Sequence, residues 1–288
     1  MDKLAFATVH GMGQTLPGYA DKLWNDVRAR IDMSRFDIAF GSIYYQKLLQ
    51  DNELEVWSRV DQQAKVHYDE MRKFVLFGFG DAAGLENRKE DDGSVYELAQ
   101  LAIARTLLAL RDRCGASVPL VLLSHSLGCH VMSSYIYDAQ KAQHAPVQVG
   151  IWKDIQRHAF DISGRPLLTA DEIAFLRCET CKGWITTGCN IPIFVAAHKN
   201  MTIIPIRRPN PQFRWLNIYD PDDVLGWPMQ PLSDGYRALV EDRPINAGRG
   251  MLDWVLKSWN PMSHGSYWED EDLLQPLVDM LTNPQTPL

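Results

Sequence analysis

The sequence predicts an α/β fold, with a mostly parallel central sheet and helices on both faces, and three observations carry that expectation. The run Val118 to Leu123 is apolar without polar alternation, which marks a strand covered on both sides. A helical pattern precedes it and another follows, the rhythm of helix, strand and helix that a parallel sheet requires. The 288-residue chain is 46% apolar and 23% charged, enough material for one large core in a single domain with an insertion.

Leu4 to Val9 is a short apolar run ended by glycines at 11 and 13, and it reads as a buried strand turning into a loop. Tyr19 to Ile31 places Leu23, Trp24, Val27 and Ile31 at helical spacing, and Phe36 to Tyr45 returns to a strand rich in β-branched and aromatic residues. Leu48 to Val66 is helical and charged. Lys73 to Gly84, "KFVLFGFGDAAG", reads as a strand or helix end in the core, with lining of a groove as the alternative, and "LENRKEDDGS" reads as a solvated loop. Tyr96 to Arg113 is a helix with a wide apolar face, stopped by Gly115. From Lys141 to Cys181 the rhythm breaks, and residues 142–181 read as an insertion over the sheet edge, a cap. Trp184 to Thr187 and Arg214 to Tyr219 are two further expected strands, and Glu269 to Leu281 an expected terminal helix despite Pro276.

The net charge of −7 argues against a nucleic-acid partner, which would call for clustered Lys and Arg. No segment reaches the roughly 18 consecutive apolar residues of a spanning helix, and "MDKLAFATVHGMG" is too promptly interrupted for a signal peptide, so a cytoplasmic location is expected. Five cysteines fit reduced thiols better than a disulfide framework, and Cys178, Cys181 and Cys189 lack the second close pair of a structural zinc site.

The chemistry centres on "SHSLG", Ser124 to Gly128. A strand-to-helix turn thrusts its central residue out at the carboxyl edge of the sheet, where open α/β folds bind ligands. Ser126 stands there. Strand and helix approach closely at such a turn, so its flanks must be small, as in G-x-S-x-G; here Gly128 fits and Ser124 replaces the first glycine. A serine hydroxyl needs a base to become a nucleophile and a carboxylate to orient that base. "DPDDVLGWP" follows the strand ending at Tyr219, and His264 lies in "NPMSHGSYW" ahead of the last helix, which gives the order serine, acid, histidine. An oxyanion would take one donor from the Leu127 N–H and another from the loop "VHGMG", Val9 to Gly13.

Together these stretches resemble the lipase and esterase branch of the α/β-hydrolase superfamily, from Leu4 through Trp268, without the two leading antiparallel strands of its fullest members. The resemblance implies Met12 in "HGMG" as the second amide donor, and identifies "ITTGCNIPIF" with the strand and glycine turn that follow the elbow helix. "DDVLGWP" is similar to the lipase acid loop, which favours Asp222, with Asp223 as its rival and Asp220 a weaker one. The implied activity is hydrolysis of a carboxylic ester through an acyl-enzyme, on a small-molecule or lipid substrate, with no cofactor or metal. Thioesterase, acyltransferase, amidase and peptidase chemistries use the same equipment, and a hydrolase-like binding protein without catalysis is the reading of a different class. The "FVLFGFG" segment adds peripheral membrane contact as a further expectation. His125 and His130 are expected to be structural, His198 to close a strand, and Trp227 with Pro228 to pack or to edge an acyl pocket.

Overall fold

The computed structural model describes residues 1–197, 203–246 and 267–282. Its strands are β1 (Asp2–Val9), β2 (Phe36–Ile43), β3 (Leu120–His125), β4 (Cys181–Thr187), β5 (Arg214–Tyr219) and β6 (Val240–Pro244). They form one sheet in the order β2-β1-β3-β4-β5-β6, every neighbouring pair parallel. This is the α/β arrangement expected from the apolar runs, and the strand order is consistent with an α/β-hydrolase fold. The chain begins at β1 and steps outward to β2 on one side and β3 on the other. The crevice between the carboxyl ends of β1 and β3 is therefore the switch point where such sheets bind ligands.

Helices α1 (Asp21–Arg28) and α10 (Glu271–Thr282) cover one face, against Leu4, Phe6, Val121, Leu123, Ile185, Leu216 and Ile218. The other face is covered chiefly by α4 (Val95–Cys114) and α5 (Leu127–Lys141), against Ala5, Ala7, Leu120, Leu122, Trp184 and Trp215. Successive residues of each strand thus enter opposite layers, and both layers are apolar because both are buried. Trp184 and Trp215, neighbours on β4 and β5, stack at 4.2 Å. Ser94 caps α4 by accepting the Glu97 N–H at 3.3 Å, and Gly115 ends it at a φ of 112°.

Two elements differ from the sequence reading. Lys73 to Gly84 is neither a strand nor a helix end: it lies inside α3 (Asp69–Glu86), which pairs with α2 (Lys47–Gln63) beside the carboxyl edge of the sheet. The solvated loop consequently begins after Glu86. Strand β6 was not expected; its sequence "VEDRP" is an edge strand in which Glu241 is exposed, Asp242 is half-buried and accepts the Asn217 amide at 2.8 Å, and the proline ends the run. Residues 142–181 contain two 3-10 turns and the helices α6 (Ala159–Ser163) and α7 (Ala170–Leu176), which pack along α4. Trp152, Phe175 and Leu176 from this segment enter the main core, and the Tyr135 hydroxyl of α5 donates to the Leu176 carbonyl at 2.8 Å.

All five cysteines are free and buried, and no group of three or more His, Cys, Asp or Glu among the described residues could hold a metal ion. No helix among the described residues is long and apolar enough to cross a membrane.

Candidate active site

Ser126 ends β3 and starts α5 at φ 51° and ψ −124°, a conformation that costs a side-chain-bearing residue on the order of 1–3 kcal/mol. The surroundings hold it there. Its N–H donates to the Thr187 carbonyl at the end of β4 (2.9 Å), and its carbonyl accepts the Cys129 N–H (2.9 Å). With the Asn190 amide in the orientation that satisfies its neighbours, its nitrogen donates to the Ser126 carbonyl at 2.9 Å, and its oxygen accepts the Leu127 N–H at 3.3 Å. The Ser126 Oγ is buried and has no hydrogen-bond partner among the described residues. A backbone strained in this way is costly, and costs of this kind concentrate at functional sites.

Close packing explains the small residues around it. A Cβ on Gly128 would lie 2.2 Å from the His10 carbonyl oxygen, so only glycine lets α5 approach the end of β1. A Cβ on Gly11 would lie 2.7 Å from that of Ser126, so the loop after β1 crosses directly over the serine. Ser124 is tolerated in place of glycine because its side chain points into the α5 layer. There Oγ accepts the Trp184 Nε1–H at 2.9 Å and donates to Cys129 Sγ at 3.3 Å.

The loop itself, His10 to Gly13, is pinned at each end. His10 is buried, its ring stacked on Tyr45 at 4.1 Å, with Nε2 accepting the Tyr45 N–H (3.1 Å) and Nδ1 donating to the Gly11 carbonyl (2.8 Å). Burial pushes the imidazole down to about 4, so it is neutral at physiological pH. The Gly13 N–H donates to Asp81 of α3 at 3.0 Å. Between them the Met12 N–H donates to no group among the described residues.

The candidate acids follow β5. Asp222 is exposed. Asp223 is buried, its Oδ1 accepting the Leu225 N–H at 3.0 Å and its Oδ2 the Tyr267 hydroxyl at 2.9 Å. Asp220 is buried too and accepts the Asp222 N–H at 2.9 Å. A Cβ on Gly226 would touch Asp223, Tyr267 and the backbone of Gly188 just past β4, which sets Asp223 one strand away from the elbow. His264 lies outside the described residues. Tyr267 and Trp268, three and four positions beyond it in sequence, are anchored at the site: Trp268 Nε1 donates to Thr187 Oγ1 at 3.2 Å, and both rings flank His125.

A cavity of about 360 Å³ opens beside the elbow, lined by His10, Gly11, Met12, Phe74, His125 and Trp268. A larger one, about 460 Å³, lies on the outer side of α5 among Tyr96, His130, Tyr137, Asp138 and Phe194. It includes none of the elbow or loop residues, so position rather than size singles out the smaller cavity. His130 stacks on Phe194 at 3.6 Å and pairs with Glu86 at 3.2 Å, and His125 Nδ1 meets the Thr187 carbonyl and hydroxyl at 3.1 Å. His198 lies outside the described residues. Trp227 is exposed, its N–H donating to the Cys189 carbonyl at 2.9 Å.

Sequence reasoning missed Asp81, Asn190, Tyr267 and Trp268. No motif spacing marks them, because each acts through a contact made across the sheet edge.

No protein-family model matches the sequence, and no curated protein matches it. Among solved structures the chain is similar to an acetyl xylan esterase, at 10% identity and a TM-score of 0.42, with 98% of each chain covered. It is also similar to an uncharacterized protein from Bacillus cereus, at 9% identity and a TM-score of 0.42, with 98% of this chain and 60% of that one covered. Neither likeness says which residues act, or on what.

Proposed function

We propose that the chain is a serine hydrolase that cleaves a carboxylic ester through an acyl-enzyme. The observation that carries this reading is Ser126 itself: a buried hydroxyl without a partner among the described residues, held at positive φ on a strand-to-helix turn, directly beneath a glycine loop. In the proposed reaction Ser126 Oγ attacks the ester carbonyl while His264 takes its proton. The tetrahedral oxyanion collapses, the alcohol leaves with the proton returned by His264, and water then releases the acid by the same steps.

Asp223 is the preferred acid, because it is buried and its carboxylate is held by a hydroxyl and an amide, whereas Asp222 is exposed. The Met12 and Leu127 amides are the proposed oxyanion donors. Leu127 is engaged by Asn190 in the resting structure, but at 3.3 Å this bond is long enough for a developing negative charge to displace it. The neighbouring cavity is of a size suited to a small acyl ester, with Met12, Phe74 and Trp268 as apolar walls and Lys22 with Glu269 as a charged one.

The test is covalent labelling of the full chain with a fluorophosphonate, followed by hydrolysis of p-nitrophenyl esters of graded chain length. Labelling and turnover that both vanish in Ser126→Ala support the reading. Either one persisting in that variant removes Ser126 as nucleophile.

A further inference from the structure

One turn of α3 governs the loop that crosses Ser126. Gly78 makes room for Met12, whose Sδ would lie 2.6 Å from a Cβ at that position. Gly80 makes room for Glu53 of α2, whose Oε1 would lie 2.6 Å from a Cβ there. Asp81 accepts the Gly13 N–H on Oδ2 at 3.0 Å, and Gln46 Nε2 donates to Oδ1 at 2.9 Å and to Oδ2 at 3.2 Å. Asp81 is 2% exposed, a depth at which a carboxylate persists only where donors replace its water. Glu53 is 6% exposed and faces Asp81, a side-chain hydrogen bond joining the two carboxyl groups. None of these groups has a part in the proposed proton transfers.

We propose that Asp81 is a positioning residue, which by holding the Gly13 N–H aims the preceding Met12 N–H at the oxyanion, and that Glu53 sets this aim by its proton. This rests on the hydrolase reading. The ionisable groups that bear on Asp81 are Glu53 from α2 and Tyr45 after β2, with His10 and Tyr19 behind Tyr45. Burial and the Asp81 charge raise Tyr45 far above its usual range, burial raises Tyr19, and His10 is neutral down to about pH 4. Burial raises both carboxyl groups of the pair, Asp81 to about 6 against the pull of the Gly13 N–H and Gln46, and Glu53 to about 8 with the Asp81 charge adding to burial, so at neutral pH the pair holds one proton and Glu53 is its neutral member. Its deprotonation on the alkaline side places a second negative charge against Asp81 in a dry site. The repulsion acts between α2 and α3 and works against the Asp81 bond that holds the loop.

The experiment follows p-nitrophenyl acetate hydrolysis by the full chain from neutral to alkaline pH, with amide hydrogen exchange of the segment around residues 10–14 measured in parallel. Asp81→Ala is expected to lower kcat roughly 10- to 100-fold with KM within about twofold, and to speed exchange in that segment. Glu53→Gln keeps the shape without the titration, and is expected to abolish an alkaline fall in kcat that the parent shows. Ser126-dependent turnover in which Asp81→Ala changes neither kcat nor loop exchange overturns the positioning role and leaves the hydrolase standing. Should Asp81→Ala not fold, an alkaline fall that persists unchanged in Glu53→Gln overturns it instead. Turnover that survives Ser126→Ala removes the hydrolase reading, and the aiming role with it.

Discussion

The Tyr267 hydroxyl donates to Asp223 Oδ2 at 2.9 Å while accepting the Asp220 N–H at 2.8 Å. A single phenol thereby ties the loop after β5 to the segment entering α10 and fixes one carboxylate oxygen of Asp223. Asp222, one residue earlier, faces solvent. If Asp223 orients the catalytic imidazole, Asp223→Asn will lower kcat by roughly 10³- to 10⁴-fold, as loss of an orienting acid does in other triads. Asp222→Asn will stay within about threefold of the parent, the usual range for an exposed side chain outside the machinery. Steady-state ester hydrolysis by the two variants checks this, and the reverse ranking would make Asp222 the acid.

Tyr267→Phe removes the bridging hydroxyl and leaves the buried Asp220 N–H without it. Unfolding in urea should show a loss of about 1–3 kcal/mol, the cost of orphaning a buried polar group. A loss under a few tenths of a kcal/mol would mean that water replaces the phenol.

The strands were legible where the chemistry of burial is simple. Leu120 to Leu123 are fully buried in both layers, so their sequence carries no polar residue at all. The elbow was legible because a small-flanked serine between such a strand and a helix has few other uses. Helix α3 was obscured by its own packing: glycines at 78 and 80 break the helical signal locally, yet they are there because Met12 and Glu53 occupy the space their side chains would fill. Asp81 and Tyr267 are of residue types as common at the surface as in the interior. Their burial follows from which helix turn and which loop end meet at the sheet edge, a long-range relation that spacing does not encode.

Ser124 stands where the G-x-S-x-G pattern has its first glycine, and the Trp184 indole gives its hydroxyl a structural part. Ser124→Gly restores the pattern but leaves Trp184 Nε1 buried without its 2.9 Å acceptor. The variant should therefore be less stable by about 1–3 kcal/mol, from the lost hydrogen bond and the added backbone freedom. Chemical denaturation measures it. Equal or greater stability would show that the indole finds another acceptor.

Gly128 allows no such exchange. Even the methyl of Gly128→Ala would have to share space with the His10 carbonyl at 2.2 Å, a backbone atom that moves only with β1. Overpacking of a buried site costs about 1–3 kcal/mol, and a rigid neighbour puts this position at or above the upper end. The variant should show a lowered Tm, with fluorophosphonate labelling of Ser126 lost where the protein still folds. Parent-like stability and labelling would contradict the close approach of α5 to β1.

His10 gives the site an acid limit whose sign follows from its burial. Because its folded value is lowered to about 4 from an ordinary 6.5, the folded protein prefers the neutral ring. Above pH 6.5 the ring is neutral in both folded and unfolded chains, and its full contribution is present. Between pH 6.5 and about 4 the unfolded chain takes up a proton that the folded one refuses, so stability falls as the solution is acidified. A gap of this size is worth on the order of 3 kcal/mol. The neutral ring is also what permits Nε2 to accept from Tyr45 while Nδ1 donates to Gly11, so protonation unlocks the start of the loop after β1 as it destabilises the fold. His10→Gln can supply both a donor and an acceptor but cannot titrate. Urea unfolding of parent and variant across this window should give a shallower acid slope in the variant, and identical slopes would assign the acid limit to another group.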